Sequence, residues 1–258
     1  MLKISLDKLD RMFAAIAENH ALYLPVDTKA GAAYQKWDET KKLSDALNTV
    51  RSAKDFFFPQ TENLMDFKVK GKNIDIIDTR SECEDFVVFG VRACDVKSFE
   101  VLDRVFLAEP CDSYYKNRRE HGVIMSLACT KPAETCFCGT FGIDAKEPEG
   151  DVVCWKTDDA LYMNAVSEKG KALVESLSSL TEETDGSAVE TQKKQTAERL
   201  AKLPLAELSA DAFGDGKTSE FFNAPEWSEL SESCLGCGTC TFVCPTCQCY
   251  DIKDFNTG

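Results

Sequence analysis

Apolar residues first recur at helical spacing at Leu6, Leu9, Phe13 and Ile16, and Ser5 just before them is a residue type that caps helix N-termini. Short strand-like runs follow at 21–26 and 34–37. A second helix is expected over 43–50, ended by the aromatic plug Phe56-Phe57-Phe58-Pro59. Residues 74–77 and 86–90 read as strands; the second, FVVFG, is apolar at every position, as a strand covered on both faces must be. Val96, Phe99, Leu102 and Phe106 then fall on one face of a helix. Residues 123–128 (VIMSLA) and 161–166 form further buried strands. This alternation of strands and helices predicts an α/β fold with a mixed, partly parallel sheet and flanking helices.

The pattern changes near residue 180. Residues 181–191 (TEETDGSAVET) are polar, acidic and aperiodic, which predicts a loop, and two helices are expected over about 190–203 and 205–213. The expected organisation is an α/β domain over 1–180, a helical linker over 181–229 and a small cysteine-rich module over 230–258.

Composition narrows the function classes. The formal net charge of −14 opposes binding to nucleic acid or anionic membranes, both polyanions that need Lys and Arg to neutralise them. No apolar run approaches the ~18 residues of a membrane span, and the N-terminus has no apolar signal core. A cytoplasmic protein without membrane insertion is expected. With His20 and His121 its only histidines, the chain has little scope for His-based metal or acid-base sites. Neither G-x-G-x-x-G nor a P-loop occurs, so any nucleotide or flavin should belong to another chain.

Thirteen cysteines are present, and six lie in the run CLGCGTCTFVCPTCQC as Cys234, Cys237, Cys240, Cys244, Cys247 and Cys249. The first four follow C-x2-C-x2-C-x3-C with Pro245 directly after, the spacing of bacterial ferredoxins. Thiolates two residues apart on a tight loop, relieved by Gly236 and Gly238, can face three irons of one cube. The fourth cysteine of such a turn overshoots that cube, so Cys244 is expected to serve a second cluster. Structural zinc is the rival, although it usually takes two separated cysteine pairs. Cys244-Pro-Thr-Cys247 also matches a thioredoxin-like C-x-x-C, but it lacks the βαβ context that lowers the first thiol's pKa. Disulfides are the wrong account for a long chain with an ordinary apolar fraction of 43%. Single-electron transfer is expected, at low potential if the abundant carboxylates lie near the clusters.

A second constellation lies upstream. Cys94, in GVRACD, falls between a buried strand and a helix expected to begin at Asp95, where unpaired N–H groups favour a thiolate. Cys129 follows the strand over 123–128, at the sheet edge where open α/β folds place ligands. Cys136 and Cys138 come seven and nine residues later, in a loop with Gly139 and Gly142. Spacing alone leaves two readings open for these four, cluster ligands or ordinary buried thiols. For Cys83, Cys111 and Cys154 the buried-thiol reading is preferred. Arg92, Arg118 and Arg119 read as solvated loop arginines, with a role in orienting sulfides or a partner carboxylate as the alternative.

The stretches DFFFPQTE, GVRACD with FEVLDRVFL, DSYYKNRRE, ACTKP with CFCGTFG, and CLGCGTCTFVCPTCQCYDI occur in one order from about Asp55 to the chain's end. Together they resemble the beta subunit of cytoplasmic sulfhydrogenases and the similar iron-sulfur subunit of anaerobic sulfite reductase. The resemblance implies at least two 4Fe-4S clusters, with Cys94, Cys129, Cys136 and Cys138 holding one and Cys234, Cys237, Cys240 and Cys244 serving the ferredoxin-like module. It also implies a non-catalytic subunit that passes electrons from or to a flavin/NAD(P)H-binding subunit on one side and a catalytic or relay subunit on the other, with ferredoxin a further partner. Two rivals remain: a zinc-stabilised docking module without redox role, and a reductase whose N-terminal cluster binds substrate at an open iron. Family members usually carry a second ferredoxin motif that this sequence lacks. Truncation relative to the native protein is expected, the alternative being that Cys244, Cys247 or Cys249 completes a single cluster.

Overall fold

The computed structural model describes residues 1–80, 83–211, 213 and 216–255. In chain order the elements are β1 (Leu2–Ser5), α1 (Leu9–Ala17), β2 (Ala21–Thr28), β3 (Gly31–Lys36), β4 (Met65–Lys70), β5 (Asn73–Asp78), β6 (Phe86–Val91), α2 (Ala93–Phe106), α3 (Ser113–His121) and β7 (Gly122–Leu127). They continue with β8 (Val152–Lys156), β9 (Ala160–Ala165), α4 (Glu168–Ser176), β10 (Glu182–Glu183), α5 (Ser187–Leu200), α6 (Glu226–Ser231) and α7 (Thr239–Val243).

The main sheet has eight strands in the order β10-β1-β9-β8-β7-β6-β2-β3. Its centre, β2-β6-β7-β8, is parallel, and antiparallel partners close both sides. The expected mixed, partly parallel α/β sheet is thus the observed one. The period of two along β6 explains why its sequence shows no polar face: Val87 and Phe89 pack with α1 and α4, and Phe86 and Val88 with α2. On the α2 side Val96, Phe99, Leu102 and Phe106 are all buried, as their spacing predicts. Phe57 in the aromatic plug is fully buried and meets Phe99 edge-on at 4.8 Å.

Four expectations are corrected. Helix α1 begins at Leu9, after a 3-10 turn at Leu6–Lys8, and the Ser5 hydroxyl bonds to the Asp7 carboxylate instead of capping. Residues 43–50 form no helix. Their backbone is drawn into tertiary bonds, Ser44 N–H to Pro25 O and Val50 N–H to Ala32 O, both at 2.8 Å, while Arg92 takes the carbonyls of Ala46 and Leu47. Residues 181–191 are not all loop: β10 pairs with β1, and α5 begins at Ser187, burying Val189 and Thr196, with Val189 packed among Val153, Trp155 and Tyr162 of the sheet. Residues 205–211 are turns rather than helix, because the Ser209 hydroxyl accepts the Asp211 N–H at 3.0 Å and competes with helical bonding; the rest of that expected helix includes Ala212, outside the described residues. Residues 74–77 are a strand, but in a separate hairpin, β4-β5, with Phe67 opposite Ile76 and Val69 opposite Ile74 on an exposed apolar face.

Helix α4 approaches the loop before β8 so closely that a β-carbon on Gly170 would overlap the Asp151 carbonyl. Alanine favours helix over glycine by about 1 kcal/mol, but the clash outweighs this. Gly170→Ala is expected to destabilise by about 1–3 kcal/mol, seen as a lower urea midpoint; an unchanged midpoint would contradict this packing.

Candidate functional site

The loops at the C-terminal ends of the parallel strands carry the first cysteine constellation. At the end of β6 the pairing with β7 is irregular between Phe89 and Val91, and Gly90 between them has φ +86, a conformation that favours glycine. The chain then turns directly into α2, with Arg92 at its N-cap and Cys94 in its first turn. Cys129 follows two residues after β7, its N–H bonded to Ala145 O at 2.8 Å. Cys138 opens a 3-10 turn at Cys138–Phe141 that closes through Gly142 at φ +66.

Arg92 joins these pieces. Its guanidinium donates to Leu47 O at 2.8 Å, Ala46 O at 3.1 Å, Ala128 O at 3.2 Å and Leu127 O at 3.3 Å, and it also bonds the Cys129 thiol. The solvated-arginine reading is therefore corrected. Arg118 and Arg119 are engaged as well, with Glu62 at 2.6 Å and Asp103 at 2.9 Å.

The four upstream thiols sense one another. Cys94 opens to solvent at the residue level, yet its thiol is hemmed in by protein; desolvation first, then the charges of Asp95, Cys138 and Cys129, pushes it up to about 12. Burial likewise raises Cys129, with Arg92 opposing and Cys138 and Cys136 adding to the rise. Cys138 is raised by burial and by Cys136. Desolvated thiols such as Cys94, Cys129 and Cys138 ionise readily only beside a cation, which is what a metal supplies. The preferred reading of Cys154 fits its place: it is fully buried in the core on β8. Cys83 and Cys111 are half-buried.

The C-terminal run is arranged differently. Gly236 and Gly238 adopt φ +65 and +72, and Gly238 caps α7. The Cys234 sulfur accepts the Gly236 N–H at 3.4 Å, and the Cys237 thiol bonds the Thr239 hydroxyl at 3.3 Å. Cys244 hydrogen-bonds both Thr246, at 3.3 Å, and Cys247. Burial works to raise its pKa, but these bonds together outweigh it and hold the thiol at about 7, while the shared proton raises Cys247. Among the described residues no group of three or more His, Cys, Asp or Glu side chains is close enough to hold a single metal ion. All-sulfur donor sets, with a guanidinium beside the upstream one, suit iron-sulfur chemistry.

Two cavities stand out, and the smaller borders this edge. One, of about 250 Å³, runs from Arg92, Cys94 and Asp95 to Val243 and Pro245 of the C-terminal run. The larger, about 570 Å³, lies beside Asp103, Arg119, Asp151 and Lys169, away from the candidate ligands. Sequence reasoning missed Lys54, whose ammonium donates to Cys244 O at 2.7 Å and Cys247 O at 3.2 Å. Nothing in RSAKDFFF marks it.

An α/β body with thiols at its loop edge and a ferredoxin-type cysteine run is the make-up of a redox subunit. The chain is similar to Sulfhydrogenase 2 subunit beta of Pyrococcus furiosus, 28% identical over 253 residues, 98% of this chain and 73% of that protein. This likeness supports the sulfhydrogenase beta-subunit family and reaches into the first 54 residues, beyond the motif-bearing stretch. No family model matches the chain. Among the described residues no helix is long and apolar enough to cross a membrane.

The thiol environments predict a pH order of reactivity. Deprotonation makes the nucleophile, so in metal-free protein alkylation of Cys244 should rise through about pH 7, while Cys94 stays inert until near pH 12. Mass spectrometry of iodoacetamide-pulsed protein reads both; labelling of Cys94 ahead of Cys244 at pH 7 would contradict the described burial.

Proposed function

We propose that this chain is a cytoplasmic electron-transfer subunit of a multi-subunit oxidoreductase that works under anaerobic conditions. It relays single electrons, with a flavin/NAD(P)H-binding subunit on one side and a catalytic or relay subunit of hydrogenase, sulfur or sulfite reductase, or heterodisulfide-reductase type on the other. The α/β body, to which β10 and α5 also belong, holds one 4Fe-4S cluster through Cys94, Cys129, Cys136 and Cys138. The chain after α5 leads to the ferredoxin-like segment over 230–258, where Cys234, Cys237, Cys240 and Cys244 serve a second. The observation that carries this reading is that thiols from two separate connections, the β6–α2 junction and the β7–β8 loop, lie at one sheet edge within electrostatic reach of one another.

A 4Fe-4S cluster, when bound, takes up or gives up one electron at a time. The chain's own residues supply the soft donors and set their surroundings. Arg92 fixes the loops bearing Cys94 and Cys129 and places a permanent positive charge beside them. Asp95, adjacent to Cys94, places a carboxylate there and opposes added electrons. Phe137 and Phe141, flanking Cys138 in sequence, are exposed with ring centroids 6.0 Å apart and add apolar surface there without charge. Exposed apolar residues such as Leu235 and Phe222 beside the C-terminal run suit a chain that works within a complex.

Anaerobically purified protein should contain iron and acid-labile sulfide in excess of about four atoms each per chain, the content of one cube. A count at or below four removes the second cluster, and zinc without sulfide favours the docking module. Cys136→Ser should delete one reduced-state EPR signal and spare the other; unchanged spectra would refute the upstream assignment.

A further inference from the structure

Lys54 is 5% exposed, and among the described residues it forms no ion pair with a carboxylate. An ammonium withdrawn from water needs compensating negative charge or strong acceptors. The acceptors here are the carbonyls of Cys244 and Cys247, at 2.7 and 3.2 Å. The 3-10 turn at Ala53–Phe56 that carries Lys54 also reaches the other constellation, because the Ala53 N–H bonds the Asp95 carboxylate, one residue from Cys94. Consecutive residues, Ala53 and Lys54, thereby bridge the two cysteine sites. Flanking contacts reinforce the bridge: Arg51 lies over the Phe242 ring at 6.0 Å, and Phe58 meets Tyr250 edge-on at 6.4 Å. The cavity of about 250 Å³ bounded by Cys94, Asp95, Val243 and Pro245 lies along the same seam.

We propose that Lys54 is a positioning residue that docks the Cys244–Cys249 loop against the Cys94 site and serves as the cationic counter-charge for the thiolates of that loop. The docking sets the separation of the two sites, and the charge favours the more reduced, more negative state of whatever the loop's thiolates ligate. The counter-charge half rests on the electron-transfer reading; the docking half does not.

The test uses the full chain with Lys54→Met, which keeps the stem and removes charge and donors, and Lys54→Arg, which keeps both. In Lys54→Met, amide hydrogen exchange over residues 244–250 should quicken by roughly tenfold or more, the scale of a lost charged hydrogen bond. In EPR-monitored redox titration the C-terminal signal should move to lower potential while the Cys94-site signal holds, and Lys54→Arg should restore both properties. Wild-type exchange in Lys54→Met overturns the docking role, and a wild-type potential overturns the counter-charge role. Should the wild-type protein contain no iron and no labile sulfide, the electron-transfer reading and the counter-charge fall together. Exchange in the same metal-free protein still decides the docking.

Discussion

One guanidinium holds the upstream site together. Arg92 sits where β6 gives way to α2, and its planar fork meets carbonyls from the 43–50 segment and from the end of β7 at once. Each such charged bond contributes about 1.5–3 kcal/mol when its partners are shielded, so this geometry is not held by loop sequence alone. Without it Cys94 and Cys129 would ride on independent loops. With it, a sheet edge that would otherwise be open becomes a fixed rim for sulfur donors.

The electrostatics of that rim and of the C-terminal run differ in kind. Upstream, desolvation dominates and keeps the thiols protonated until a cation displaces the protons. In the C-terminal run, Cys244 shares a proton with Cys247 and is held near neutrality. The two sites should therefore load with different proton release and different ease of access. The overall charge of −14 disfavours added electrons in general, and the local cations Arg92 and Lys54 act against it at the places where electrons would reside.

Much of this was legible in the residues. The buried strands over 86–90 and 123–128 and the apolar face of α2 followed from the pattern of apolar positions, and the partly parallel sheet from the alternation of strands and helices. The placement of Cys94 and Cys129 at strand ends followed from the same reasoning. What escaped was tertiary. The 43–50 segment has helical spacing, yet Arg92 and neighbouring strands take its backbone groups. The stretch over 181–191 looks like a linker, yet one valine, Val189, is fully buried and draws a helix onto the sheet. Lys54 is indistinguishable from a solvated lysine until the fold brings a distant loop to it.

The central claim is that sulfur donors from two parts of one chain hold inorganic iron. Iron K-edge X-ray absorption on protein purified without exposure to air tests it most directly. The account predicts an all-sulfur first shell around iron, iron neighbours in the second shell, and an edge amplitude corresponding to more than one cluster per chain. A zinc edge with no iron signal, or iron bound as isolated ions without iron neighbours, would contradict it.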